Sequence, residues 1–363
     1  MTAVAPVPGQ RPRRPRWRRV LGSLLSVALV VAVFAWFLPQ FTSLSDVWAA
    51  VRGMTALEVA VLLLAAVWNL ATYQFVMVAT MPGLTLRQAT VSSQTTTAVS
   101  NTVVGGAALA LGLTYAMNSS WGFSRSRTSV SLLVSGLWNN FVKLGMPVLA
   151  LTLLAFSSPP TARRLVAGLA GVAGLAAAVL VLGLLHSRET AARLGTVAGR
   201  TASALLHLLH RPPVHGWERA TSRFRDRTAL LLHARWHWIT VATVVSHLSL
   251  FLVLLLALRF VGVSGSEVGW AEALAVFAFA RLLTAVPFTP GGLGVVELAL
   301  ITGLSAAGGA RASVAAAVLV YRALTYVLPI PLGLVTYVFW RGNRSWRRPA
   351  NSAPRTELVP ETV

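Results

Sequence analysis

The sequence predicts an all-α polytopic membrane protein of about six full transmembrane helices plus two re-entrant or broken helical hairpins, or eight spans, arranged as an inverted repeat. Three observations carry this. Of 363 residues, 55% are hydrophobic and only 11% charged, with a mean hydropathy of +0.68; a soluble domain carries about 25% charged residues. Apolar runs long enough for a bilayer recur along the chain. Two further stretches are interrupted by polar or Gly/Pro segments at the same relative depth.

The first 19 residues are rich in Pro and Arg and contain no acid, reading as a basic cytoplasmic tail. Val20 to Leu38 is then an apolar run too long for a signal-peptide core, with no small-residue cleavage site close behind, so it is expected to remain as the first span. Segments 57–80, 128–156, 163–185, 237–259 and 313–339 are also long enough to cross roughly 30 Å of hydrocarbon. The transmembrane domain thus covers 20–340 and leaves a polar tail over 341–363.

Residues 90–117 open with Ser, Thr, Gln and Asn (Ser92 through Thr102) and turn through Gly105 and Gly106 into an apolar piece. Residues 271–308 are apolar but broken at Pro287, Pro290, Gly291, Gly292 and Gly294. Irregular backbone at membrane depth is tolerated only where it packs in protein or lines a wet cavity. Val104-Gly105-Gly106 with Met146-Pro147 parallels Pro290-Gly291-Gly292 with Leu328-Pro329, at offsets of 186 and 182 residues. With the basic N-terminus, the 186–236 loop (nine Arg, three acids) and the tail all cytoplasmic, the first hairpin enters from inside and the second from outside. Arg163 and Arg164 fall on the disfavoured side of this topology. The 186–236 loop also offers one amphipathic face through Leu194, Val197, Thr201, Leu205 and Leu208, fitting either the inner leaflet or a packed connector.

The net charge of +21 follows from this topology, since the Arg residues sit at span ends and no nucleic-acid recognition motif occurs. The absence of cysteine excludes disulfides, thiolate catalysis and Cys-based metal sites. No Walker A, HExxH or GxSxG signature is found, and no cofactor is expected. His233 and His237 have the spacing of two ligands on one helix face, but without a neighbouring carboxylate they read better as interfacial residues beside Trp236 and Trp238. His247, inside a span, reads as a buried, hydrogen-bonded histidine.

Ionisable residues at membrane depth are the candidate site: Lys143, Glu272, Arg281, Glu297 and Arg322. Each costs about 2.5–3.5 kcal/mol at a helix centre on insertion scales and needs a partner or a cavity. Two readings stay open: buried ion pairs, such as Arg281 or Arg322 with Glu297, or a polar cavity where Arg engages a phosphate and Glu a cation or proton. Gly291, Gly292 and Gly294 join the candidates because a Pro-bracketed break before a helix start leaves amides for an anion.

The run Pro287-Phe-Thr-Pro-Gly-Gly-Leu-Gly-Val-Val-Glu297, with Tyr321-Arg322 and Pro329, resembles the signature of the lysylphosphatidylglycerol synthase transmembrane-domain family, also called flippase-like. Asn101-Thr-Val-Val-Gly-Gly-Ala, Tyr115 and Trp121-Gly122-Phe123 resemble the first half-motif of actinobacterial members. The resemblance implies a bacterial cytoplasmic-membrane protein that moves a phospholipid or lipid-linked substrate between leaflets, with Arg281, Glu297 and Arg322 at the family's polar positions. Where many members carry Arg and Glu in the first half-motif, 104–113 is uncharged here. The aminoacyltransferase domain of bifunctional members is expected to be absent. The expected partner is a membrane lipid, anionic or lipid-linked. The rival reading is a non-transporting accessory subunit that scaffolds an envelope-lipid synthase; a lipid-carrier enzyme is the weakest, and the sequence sets no oligomeric state.

Overall fold

The computed structural model describes residues 48–49, 51–102, 106–156, 217–284, 290–343 and 345–346. The expected spans 20–38 and 163–185, the amphipathic face of 194–208 and the break residue Pro287 lie outside them. The described residues form the helices α1 (Ala56–Thr80), α2 (Leu86–Thr102), α3 (Gly106–Ser120), α4 (Arg125–Phe156), α5 (Trp217–Phe260), α6 (Trp270–Leu283), α7 (Val295–Ala306), α8 (Arg311–Arg322) and α9 (Pro329–Gly342). Four helical stretches among them are long and apolar enough to cross a membrane: Ala56–Thr80, Arg125–Leu154, Leu230–Phe260 and Arg311–Gly342. The last runs through α8, a π-helical turn at Ala323–Val327 and α9. The expected 313–339 span is therefore one crossing with a defect in its middle, just ahead of Pro329, whose ring cannot sit under an ordinary helical hydrogen bond.

Local chemistry sets the helix boundaries. Thr55 caps α1: its hydroxyl accepts from Glu58 N–H while the Glu58 carboxylate accepts from Thr55 N–H at 2.7 Å, a reciprocal capping box. Glu272, expected at membrane depth, instead lies in the first turn of α6 and accepts from Gly269 N–H at 2.7 Å. A carboxylate there meets the free amides and positive end of the helix, so it needs no buried cation. A second correction concerns 186–236, expected to be a loop: from Trp217 it is helical and continuous with the span as the 44-residue α5. Hydropathy marks where a helix leaves the apolar layer. Arg and Leu favour helix on either side of that boundary.

The two short pairs form the expected hairpins. At 17, 15, 14 and 12 residues, α2, α3, α6 and α7 are each shorter than the ~20 residues a crossing needs. α2 packs against α3 and α6 against α7. Each half of the bundle then reads span, hairpin, span, and the packing is reciprocal: α1 lies on α5, α2 on α9, and α6 on α4.

Contacts along these pairs give the directions. Asn69 Nδ2 donates to Ser249 Oγ at 2.9 Å, while Ala79 shares an apolar cluster with Ile239, so α1 and α5 run antiparallel. Thr95 and Thr336 hydroxyls meet at 2.9 Å and Asn101 reaches Tyr326, so α2 and α9 are antiparallel as well. One end of the bundle gathers Met81, Trp121, Phe123, Trp340 and Trp346. The opposite end holds the α5–α6 connection, where Val263 and Val268 are buried, and the turn at Gly308, which abuts Glu267. The hairpins open at opposite ends and their tips meet inside the bundle, the geometry of an inverted repeat.

Because the chain has no native cysteine, this is directly testable. Ser266→Cys and Ala310→Cys are expected to react with an impermeant maleimide from one side of the membrane, and Ser119→Cys from the other. Labelling of Ser266→Cys and Ala310→Cys from opposite sides would make the second hairpin a full crossing.

Candidate functional site

Two polar groupings lie where the hairpin tips meet the broken span. The first is a knot around one ion pair, which leaves Glu297 Oε2 without a hydrogen-bond partner. Arg322, in the last turn of α8, donates from Nε to Glu297 Oε1 at 2.6 Å, and both side chains are buried. Arg322 also donates to the Gly291 carbonyl at 3.2 Å, and its guanidinium carbon stands 4.5 Å from the centre of the Tyr326 ring. Tyr326 ties this knot to the first hairpin: its hydroxyl donates to the Asn101 carbonyl at 2.5 Å, and Asn101 Nδ2 donates to the Tyr326 carbonyl at 3.1 Å. The π-helical turn leaves that carbonyl available, since widening the helix disturbs the usual i to i−4 pairing.

Gly291 is required at the junction. Its φ is +59°, and a Cβ there would run into the Tyr326 ring and lie 3.2 Å from Asn101 Oδ1. An L side chain is disfavoured by both backbone and space. Gly292 and Gly294 also have positive φ, and Gly294 stands at the N-cap of α7, so the break turns sharply into that helix. Sequence reasoning left Arg281 and Arg322 as alternative partners for Glu297. The structure pairs Arg322, which lies on α8 beside α7, and leaves Arg281 on the other side of the break.

The second grouping is open. A cavity of about 240 Å³ is bounded by α1, α2, α4, α5 and α6 with the broken span, and is lined by Asn69, Tyr73, Gln94, Asn139, His247 and Arg281, among others. Three of these present buried polar atoms with no hydrogen-bond partner: Gln94 Oε1, His247 Nε2 and Arg281 Nε. Such atoms are exceptional in folded proteins, and each calls for an explanation. Lys143, on α4, is buried nearby, and its charge and that of Arg281 are both felt at His247. None of the described residues lining the cavity is acidic. The one buried carboxylate among the described residues, Glu297, is already engaged by Arg322.

Of the residues expected at the site, Arg322, Glu297 and Gly291 form the knot, with Gly292 and Gly294 in its turn. Arg281 enters the cavity, and Lys143 stands close enough to act on it electrostatically. His247 is buried with its Nδ1 3.0 Å from the Thr243 carbonyl, as expected, but its other nitrogen belongs to the cavity. His237 lies against the rings of Trp236 and Trp238, with centroids 6.1 and 5.5 Å away. Sequence reasoning missed Gln94, Asn139 and the Asn101–Tyr326 link. The run Ser92–Thr102 was the available signal, because so many amide and hydroxyl groups on one membrane-embedded helix need a polar neighbour.

The model of the lysylphosphatidylglycerol synthase TM region matches residues 23–333, which takes in both hairpins, the knot and the cavity. The chain belongs to this family. A search of curated proteins finds no match. The lysylphosphatidylglycerol synthase TM region is thus represented here by an all-α membrane bundle with a lipid-related function, which holds one buried ion pair and, beside it, a cavity lined by Arg281 and by no acid among the described residues.

Proposed function

We propose that the protein is a lipid translocase of the bacterial cytoplasmic membrane, moving an anionic phospholipid or lipid-linked group between leaflets. Its described helix ends at Thr80, Leu86 and Gly342 would face the cytoplasm, as would both termini. The observation that carries the reading is Arg281: a half-buried cation whose Nε is buried without a hydrogen-bond partner, lining a cavity between oppositely opening hairpins, with no carboxylate partner among the described residues. A permanently charged guanidinium in that position costs several kcal/mol unless an anion visits it, and its planar fork suits phosphate oxygens. A substrate held between the two halves of an inverted repeat can be exposed to each side in turn as one half rocks against the other.

In this reading the chain binds and conveys rather than catalyses. Arg281 and Lys143 hold the phosphate, while the Arg322–Glu297 pair and the glycine turn fix the tip that closes over it. The test is transbilayer movement of an acyl-labelled phospholipid in proteoliposomes. Wild type is expected above protein-free vesicles and Arg281→Ala at their level. A folded wild type that moves no lipid, or an Arg281→Ala variant as fast as wild type, would overturn the proposal; the first result is what an accessory subunit of a lipid synthase would give.

A further inference from the structure

We infer that the cavity selects a headgroup carrying a phosphate and free hydroxyls, a polyol or sugar phosphate, and rejects headgroups bearing an ammonium. The inference rests on the translocase reading and narrows its substrate. The unpartnered atoms of the cavity are of two kinds. Arg281 Nε–H is a donor, and the guanidinium that carries it is cationic. Gln94 Oε1 is an acceptor. His247 Nε2 is an acceptor in the neutral ring, because the Thr243 carbonyl facing Nδ1 can only accept, which puts the ring proton on Nδ1.

A bare phosphate would satisfy Arg281 alone and leave both acceptors empty. A headgroup that presents phosphate oxygens to Arg281 and hydroxyl hydrogens to Gln94 and His247 satisfies all three. An ammonium could also donate to the two acceptors, but it would enter a space lined by Arg281, within electrostatic reach of Lys143, with no acid among the described lining residues. Like charges at short range in a medium of low polarity repel strongly. Buried acceptors discriminate sharply in turn, because a ligand lacking the matching donor leaves them desolvated and unpaired.

The test uses the full chain in proteoliposomes with acyl-labelled phosphatidylglycerol (phosphate and hydroxyls), phosphatidylethanolamine (phosphate and ammonium) and phosphatidic acid (phosphate alone) as separate probes. Phosphatidylglycerol is expected to cross about tenfold faster than either of the others. Gln94→Leu, which removes the acceptor at similar size, is expected to bring its rate down to that of phosphatidic acid. Phosphatidylethanolamine or phosphatidic acid moving as fast as phosphatidylglycerol in wild type would overturn the selectivity while leaving translocation intact.

If no probe moves, translocation itself falls, and the selectivity is decided by lipid retention on the detergent-purified protein. Preferential retention of phosphatidylglycerol that is lost in Gln94→Leu upholds the headgroup assignment, and equal retention of all three overturns it. Melting curves of Gln94→Leu, together with Gln94→Glu, separate a folding defect from lost recognition. Gln94→Glu keeps the size but adds a carboxylate, and it is expected to shift preference towards phosphatidylethanolamine.

Discussion

Arg322→Ala is expected to lower the stability of the detergent-solubilised protein by about 3–5 kcal/mol, the usual cost of leaving a buried charge without its partner. The lost group does more than neutralise Glu297. It also bonds the Gly291 carbonyl, so one substitution loosens the second hairpin's tip from the broken span at two points, Glu297 and Gly291, and removes the packing over Tyr326 within that span. Glu297→Leu alone is expected to cost less than Arg322→Ala, because Arg322 keeps the Gly291 carbonyl and the ring. Combining Glu297→Leu with Arg322→Met is expected to be milder than the sum of the single changes, since it removes both charges and refills their volume. Thermal melting of Glu297→Leu, Arg322→Met and the double variant, beside Arg322→Ala, checks this. Strict additivity would mean that the pair contributes nothing as a pair.

The second large effect lies on the other hairpin. Gly333→Leu is expected to force α2 and α9 apart: a Cβ at Gly333 would already run into the Ala98 methyl and the Gln94 carbonyl. Backbone cannot yield as a flexible side chain can, and close approach of membrane helices depends on such small residues. The Thr95–Thr336 and Asn101–Tyr326 bonds lie along the same seam. The expected readout is loss of disulfide crosslinking between Thr95→Cys and Thr336→Cys when Gly333→Leu is added. Gly112→Leu, at a site with open space around it, is the control that should crosslink as well as the parent. Undiminished crosslinking in Gly333→Leu would show that the seam is looser than its geometry implies.

These two predictions concern features of unequal visibility in the sequence. The hairpins could be read directly, because polar or Gly/Pro interruptions in apolar runs have few other physical uses, and both breaks were bounded to within a few residues. That Arg322 rather than Arg281 neutralises Glu297 could not be read, because the choice depends on which side of the break each helix passes. The capping role of Glu272 was legible in principle from its place three residues after Gly269, but an acid in an apolar run invites a membrane-depth reading. The cavity was the least legible part. Its polar atoms come from five helices far apart in the chain, and the sequence shows each as an isolated Gln, Asn or His whose neighbours are decided only by packing.

The links between the first hairpin's tip and the broken span bridge 225 residues, and the Thr95–Thr336 bond bridges 241. During synthesis, therefore, α2 emerges with its Ser, Thr, Gln and Asn side chains long before α9 exists to cover them. Until α9 is inserted, the first hairpin has no stable place in the apolar layer and must wait at the surface or under the care of the insertion machinery. The order of assembly is thus written into the bundle: the first hairpin is made early, sheltered in the interim, and locked by a helix made long after it.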